Sequence, residues 1–211
     1  MEILAHRGST ADGINENTLP AFERAKKLGA HGIETDVRMT KDKELVLFHD
    51  NSVGKKAIRK LTKKQLESRI GYKLDTLNDV LNWSDNEFML NLEIKEGDIV
   101  GEIYEELKRF KQKNILVSSF HHPTAFKLSK VTSAKCGLLM PVRPVYIKPF
   151  MQLIPAHLEY IIWDYDIYDT EFKAELVIYK HIVYNMGEMV PTKKEFIDGI
   201  ISDHLDIHIK S

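Results

Sequence analysis

The sequence is poor in features that mark whole classes of protein. It has one cysteine, Cys136, so no internal disulfide can form and a reducing compartment is expected. Neither sign of charge is in excess: 30 Lys and Arg against 31 Asp and Glu give a net charge of −1, which supplies no basic field for nucleic acid. No apolar run approaches the roughly 20 residues of a membrane-spanning helix, and no apolar leader fits ahead of His6. Repeats, low-complexity tracts and linkers are also missing. What is present is 211 residues with 43% hydrophobic content, enough for one sizeable core. The expectation is a cytoplasmic protein forming a single domain over residues 1–211, with no nucleic-acid partner and no transmembrane segment.

Short apolar runs alternate with helix-like stretches, the pattern of an α/β protein with parallel strands. The run "LPAFERAKKL" predicts a first helix: Asn17 or Thr18 as cap, Pro20 in the first turn, Leu19, Phe22, Ala25 and Leu28 on one face, and Gly29 as the stop. A second is predicted from Asp98, burying Val100, Ile103, Leu107 and Phe110, and others over "PTAFKLSKV", "TEFKAELVIYK" and "PTKKEFID". Nine strand candidates follow the order "EILAH", "GIETDV", "ELVLFHD", "FMLNLEIK", "ILVSSF", "KCGLLM", "YIIWD", "HIVYN" and "GIISD". A (β/α)8 TIM barrel needs eight. Only "RMTKDK" separates the second and third runs, too little for a parallel crossover. A β-hairpin turning at "KDK" therefore stands in place of a helix there, and one of its strands lies outside the barrel. About 250 residues are typical of this barrel, so short or missing outer helices are expected.

Alternation along two strands makes the chemistry visible, because residues two apart share a side. Ile33, Thr35 and Val37 face one way, and Glu34, Asp36 and Arg38 the other. In "MLNLEIK", Leu90, Leu92 and Ile94 oppose Asn91, Glu93 and Lys95. With the apolar sides turned to the helices, Glu34, Asp36 and Glu93 point inward, where unpaired carboxylates cost several kcal/mol each. Either Lys95 and Arg38 pair with them, or the three bind a hard divalent cation, Mg²⁺ or Ca²⁺. His6 and His49 close two strands, where barrel active sites are built, and a hairpin at Lys41–Asp42 brings His49 opposite Glu34. Histidine is the usual proton carrier near neutral pH. For His31, His121, His122, His157, His181, His204 and His208, structural or surface roles are expected.

Taken together, "HRG", "ENTLPAFERAKKLGAHGIETDVRMTKD", "VLFHD", "LDTLNDVL", "LNLEIK", "SSF" and "GIISD" resemble the glycerophosphodiester phosphodiesterase family, of the phospholipase-C-like phosphodiesterase superfamily. The resemblance implies a (β/α)8 barrel that uses one divalent cation to hydrolyse small-molecule glycerophosphodiesters to sn-glycerol 3-phosphate and an alcohol. Carried over motif by motif, it makes His6 and His49 the acid/base pair. Glu34, Asp36 and Glu93 become the metal ligands, and Arg7 and Lys95 the phosphate contacts. Glu16, Asn17 and Asp50 support them from behind.

Two departures from the family pattern stand out. "IVYN" (182–185) replaces a tryptophan-containing stretch, leaving Trp163 or Tyr184 to supply an aromatic wall. The region after His49, "NSVGKKAIRKLTKK", is short and basic, so the alcohol is left open. Its cluster of Lys55, Lys56, Arg59, Lys60, Lys63 and Lys64 either meets anionic lipid head groups or solvates a helix and loop. Cleavage of lysophospholipids is the alternative activity and calls for an apolar rim, with Met140, Val142, Val145, Tyr146 and Phe150 as candidates. A third reading, a barrel that binds phosphodiesters without turning them over, sits poorly with the retention of both histidines and all three carboxylates.

Overall fold

Eight of the nine strand candidates close into a parallel ring. In the computed structural model, which describes residues 1–110, 113–144, 149–150, 152, 154, 157–191 and 196–210 (the side chains at 170–172 excepted), these are β1 (Glu2–His6), β2 (Gly32–Met39), β6 (Met89–Ile94), β7 (Ile115–Ser119), β8 (Lys135–Met140), β9 (Tyr160–Asp164), β10 (Lys180–Tyr184) and β11 (Gly199–Ser202). Each pairs in parallel with its neighbours, and β1 closes the ring by pairing with both β2 and β11. The ninth run, β3 (Leu45–Leu47), pairs antiparallel with the outer end of β2, Val37 opposite Leu47. This is the expected hairpin, with one strand outside the barrel.

A short second hairpin, β4 (Ser52–Val53) with β5 (Lys56–Ala57), follows. Two helices, α2 (Lys63–Ile70) and α3 (Leu77–Trp83), then complete the crossover to β6. Both helices start on capping boxes. In each, a threonine hydroxyl (Thr62, Thr76) accepts from the backbone N–H three residues on, and the side chain there accepts in return.

The alternation argument accounts for the two layers of core. Leu4, Met89, Leu116, Leu139, Tyr160, Ile162, Ile182 and Ile201 form one buried cluster contributed by seven of the ring strands, the filling of the barrel. Ile3, Ala5, Ile33, Val37, Leu90, Leu92 and Ile94 belong to a second, larger cluster, packed against the outer helices. A third, smaller cluster of Val46, Ile58, Leu61, Leu66 and Leu74 seats the β3–α2 excursion on the barrel's flank.

The first helix, α1 (Leu19–Lys27), matches its expected bounds and buries Ala21, Phe22 and Ala25. Leu28 departs from the expected face: it is the cap residue beyond the last turn and lies 44% exposed. The helix expected from Asp98 begins two residues later as α4 (Val100–Leu107), and α5 (His122–Val131) follows β7. A helix at Thr170–Glu175 covers part of "TEFKAELVIYK", and most of the helix expected over "PTKKEFID" lies outside the described residues. The described α-helices run from four to ten residues, which is how a short chain encloses this barrel. No helix among the described residues is long and apolar enough to cross a membrane.

Candidate active site

The C-terminal ends of the ring strands meet in one cavity of about 250 Å³ whose lining includes His6, Arg7, Glu34, His49, Glu93 and Lys95. Inward-facing positions of neighbouring strands are brought level by register. His6 pairs across β1–β2 with Glu34, and Asp36 across β2–β6 with Glu93. Oxygens of Glu34, Asp36 and Glu93 all lie within 4.8 Å of one another, and all three residues are buried. Three carboxylates from two strands thus share one small volume.

The cations around them are unequally engaged. Lys95 Nζ bridges Asp36 Oδ1 at 2.8 Å and Glu93 Oε1 at 2.5 Å. Arg7 Nε lies 3.2 Å from Asp36 Oδ2 without hydrogen-bond alignment, while its Nη1 donates to Glu16 Oε1 at 3.1 Å and Oε2 at 3.2 Å. Arg38, which shares their side of β2 and was one of two alternatives for balancing them, pairs with none of the three inward carboxylates. It donates twice to the His49 carbonyl oxygen, at 2.8 and 2.7 Å, and pairs with Glu96. It braces His49 from outside the cluster because β2 has by then run past the cavity to meet β3.

Consecutive residues His6 and Arg7 both serve this mouth because the backbone turns over between them. Strand alternation would send Arg7 outward, but its φ of 54° lies in the left-handed region, which costs a non-glycine residue free energy unless its surroundings hold it there. Its N–H is held by the Glu34 carbonyl oxygen at 2.9 Å, and Gly8 follows at φ 87°, where a Cβ would stand 2.7 Å from that of Ala21. Asn17, also left-handed at φ 56°, ties α1's entry to the cluster. Its Nδ2 donates to Asp36 Oδ2 at 2.8 Å, and its Oδ1 accepts from Thr35 Oγ1 at 2.6 Å and Asp36 N at 3.1 Å.

Charge balance explains the ionisation of the cluster. Burial first, then the Asp36 carboxylate, pushes Glu34 up to about 8 against the pull of His6. Burial and Asp36 also raise Glu93 despite Lys95. Asp36 goes the other way: burial is outweighed by Lys95, Arg7 and the Asn17 hydrogen bond, and its carboxyl is held low. For His6, burial acts downward, yet the Asp203 hydrogen bond and the charge of Glu34 win and raise it.

Each histidine has a carboxylate behind it. His6 Nδ1 meets Asp203 Oδ1 at 2.7 Å, which leaves Nε2 aimed at the cavity, 3.9 Å from Glu34 Oε2. His49 Nδ1 meets Asp50 Oδ1 at 2.9 Å. Local pattern does not single out Asp203, although "GIISD" ends on it; its contact with His6 spans 197 residues of sequence and exists only because the barrel closes. Nor does local pattern single out Phe120. It stands 42% exposed on the cavity, edge-on to Tyr184 with ring centroids 6.1 Å apart. These two supply the aromatic wall. Trp163, the other candidate, is fully buried and donates to His181 Nδ1 at 3.2 Å.

The apolar rim expected for a lysophospholipid is not assembled from the described candidates. Met140 is buried in the outer core, Val142 is 66% exposed, Phe150 packs on the core, and none of the three lines the cavity. Val145 and Tyr146 lie outside the described residues. His181 and His208 are buried and hydrogen-bonded, as expected for structural histidines.

Residues 6–140 match the glycerophosphoryl diester phosphodiesterase family, and this span runs from the first histidine through every carboxylate of the cluster. The chain belongs to this family of phosphoric diester hydrolases. The glycerophosphodiester phosphodiesterase of Caldanaerobacter subterraneus is 30% identical to it over 95% of this chain and 93% of its own. A crystal structure of the Thermotoga maritima glycerophosphodiester phosphodiesterase superposes with a TM-score of 0.84 at 27% identity, covering 99% of this chain and 96% of that one. An Oleispira antarctica phosphodiesterase, solved with the product sn-glycerol-3-phosphate, shares the fold with a TM-score of 0.83 at 20% identity, covering 100% of this chain and 97% of that one. Membership agrees with the resemblance carried by the motifs, and the (β/α)8 barrel is the one it implies.

Proposed function

We propose that this protein hydrolyses glycerophosphodiesters to sn-glycerol 3-phosphate and an alcohol, with one divalent cation and two histidines. The observation that carries the reading is the convergence of Glu34, Asp36 and Glu93 within 4.8 Å, beside a cavity that Glu34, Glu93, His6 and His49 line. The cluster fits a cation. Glu34 Oε1 is buried with no hydrogen-bond partner, the donor set is oxygen only, and Lys95 with Arg7 leaves one carboxylate in excess. Glu34, Asp36 and Glu93 would hold Mg²⁺ or Ca²⁺, which when bound supplies positive charge against the phosphodiester and the substrate hydroxyl. The finding of sn-glycerol-3-phosphate in the Oleispira protein supports the substrate class.

The chain's own groups divide the remaining work. Arg7 presents a planar fork to the phosphate, held by Glu16, and Lys95 adds a point charge. Both act on charge that grows in the transition state, where preorganised cations count most. One histidine takes the proton of a glycerol hydroxyl, which attacks phosphorus to form a cyclic phosphate, and the other protonates the departing alkoxide. Water then opens the ring with the two roles exchanged. Asp203 and Asp50 hold the Nδ1 side of each ring, leaving both Nε2 atoms for proton transfer. Asn17 keeps Asp36 in place. A cytoplasmic setting belongs to this reading, in keeping with a single cysteine that is free and buried.

The test is a panel of glycerophosphodiesters assayed with EDTA, Mg²⁺ and Ca²⁺. Turnover that EDTA abolishes and a divalent cation restores is the expected result. Undiminished turnover in EDTA, or saturable binding without product under every condition, would refute it.

A further inference from the structure

The two histidines of the site are held in different ways. His6 ends β1 inside the ring, opposite Glu34, with Asp203 at its Nδ1. His49 stands two residues past the end of β3, in no strand, and among the described residues no backbone group bonds to its own. Its side chain is only half-buried and the Asp50 carboxylate beside it is exposed, so packing does not fix the ring either. Arg38 does the holding. Its Nε and Nη2 both donate to the His49 carbonyl oxygen, at 2.8 and 2.7 Å.

Arg38 is itself fixed at both ends. Its backbone pairs with Val46 of β3, while the adjoining Val37 pairs with Ile94 of β6 on the other side. Its remaining nitrogen, Nη1, lies 3.5 Å from Glu96 Oε1. Glu96 Oε2 accepts from Arg59 Nη1 at 3.0 Å and from the Met39 N–H at 3.4 Å, and Arg59 Nη2 reaches Asp98 Oδ2 at 2.5 Å. The side chains of Arg38 and Glu96 are exposed by 11% and 13%, so salt screens this pair less than it screens a surface pair. A planar guanidinium can hold a carbonyl and a carboxylate at once, which a lysine cannot do in the same geometry.

We propose that Arg38 is a positioning residue for the acid/base chemistry: it sets where the His49 imidazole stands at the cavity, and Glu96 with Arg59 holds Arg38 in place. The carboxylate cluster is independent of it, since Arg38 pairs with none of those three side chains. The chain of contacts from Arg59 through Glu96 and Arg38 ties the basic segment after β5 and the turn after β6 to the catalytic mouth. Without the fork the His49 segment is released, and a displacement of about 1 Å at a reacting group costs on the order of 10²-fold in rate. Substrate binding at Arg7 and Lys95 is spared.

The proposal rests on the hydrolytic function above, and two readouts keep their fates apart. In steady-state kinetics, Arg38→Met should lower kcat about 10- to 100-fold with KM within about twofold, and Arg38→Lys, which keeps a donor but not the fork, should recover part of the loss. Arg59→Gln, at the outer end, should show the same split at about 2- to 5-fold. On a His49→Ala background Arg38→Met should cost less than about twofold more, because Arg38 acts through His49. Glu96 keeps Arg59 as its partner when Arg38 is replaced; if Arg38→Met still fails to fold, Arg38→Lys and Arg59→Gln carry the same comparisons. Undiminished kcat, a loss that falls on KM, or a loss repeated in full on His49→Ala would overturn the proposal.

The second readout needs no turnover. The His49 Cε1–H signal in NMR spectra of the intact protein, assigned by its disappearance in His49→Ala, should shift or broaden in Arg38→Met while that of His6 stays in place. If wild type cleaves no diester, the hydrolytic reading falls and this spectrum alone decides. A His49 signal that moves by itself keeps Arg38 as the anchor. One that does not move, or that moves together with His6, removes it.

Discussion

Removing the Asn17 side chain tests whether the carboxylate cluster is held by the hydrogen bonds behind it. Asn17→Gly deletes two bonds between neutral groups, from Thr35 Oγ1 and Asp36 N, and one to the Asp36 carboxylate. Asn17, Thr35 and Asp36 are exposed by 2%, 0% and 1%, so water cannot readily replace them. At about 1 kcal/mol for each neutral bond and about 2 kcal/mol for the charged one, the loss is about 4 kcal/mol. That is a large share of the ~5–15 kcal/mol by which a typical domain is stable. Glycine keeps the left-handed backbone accessible, whereas Asn17→Ala adds a Cβ at φ 56° and should cost about 1 kcal/mol more. Urea denaturation at neutral pH, followed by circular dichroism, measures both. A Gly variant within about 1 kcal/mol of wild type, or an Ala variant more stable than the Gly one, refutes this account.

Replacing either His6 or His49 by alanine should lower turnover about 10²- to 10⁴-fold in steady-state assays, and a loss under tenfold refutes the acid/base assignment. Divalent cation should raise the melting temperature of wild type, and Glu93→Gln, which removes one carboxylate charge, should weaken that shift in a thermal-denaturation series. Glu34 supplies a pH signature. With a folded-state value raised to about 8, the native protein holds a proton that the unfolded chain has released above its ordinary carboxylate range. Stability is therefore lost as pH rises through that window towards about 8, and Glu34→Gln should flatten the slope in denaturation curves taken across it. His181 acts with the opposite sign. Burial lowers it to about 4, so its contribution is present at neutral pH and lost as pH falls through about 6.5 towards 4, a slope that His181→Phe should remove.

Much of this protein is determined by local pattern. The order of nine strands, the α1 helix and the inward direction of Glu34, Asp36 and Glu93 follow from periods of 2 and 3.6 residues, which need only a buried side and an exposed side. The hairpin at Lys41–Asp42 follows from a connection too short to cross over, and His6 and His49 from their places at strand ends. The motif set was enough to identify the family. What the tertiary structure alone decided is pairing at long range. Asp203 reaches His6 only because β11 closes on β1, Phe120 meets Tyr184 only across the barrel mouth, and Arg38 leaves the carboxylates because β2 outruns the ring to hold β3. Periodicity tells a side chain which way to point; only closure of the ring settles what it meets there.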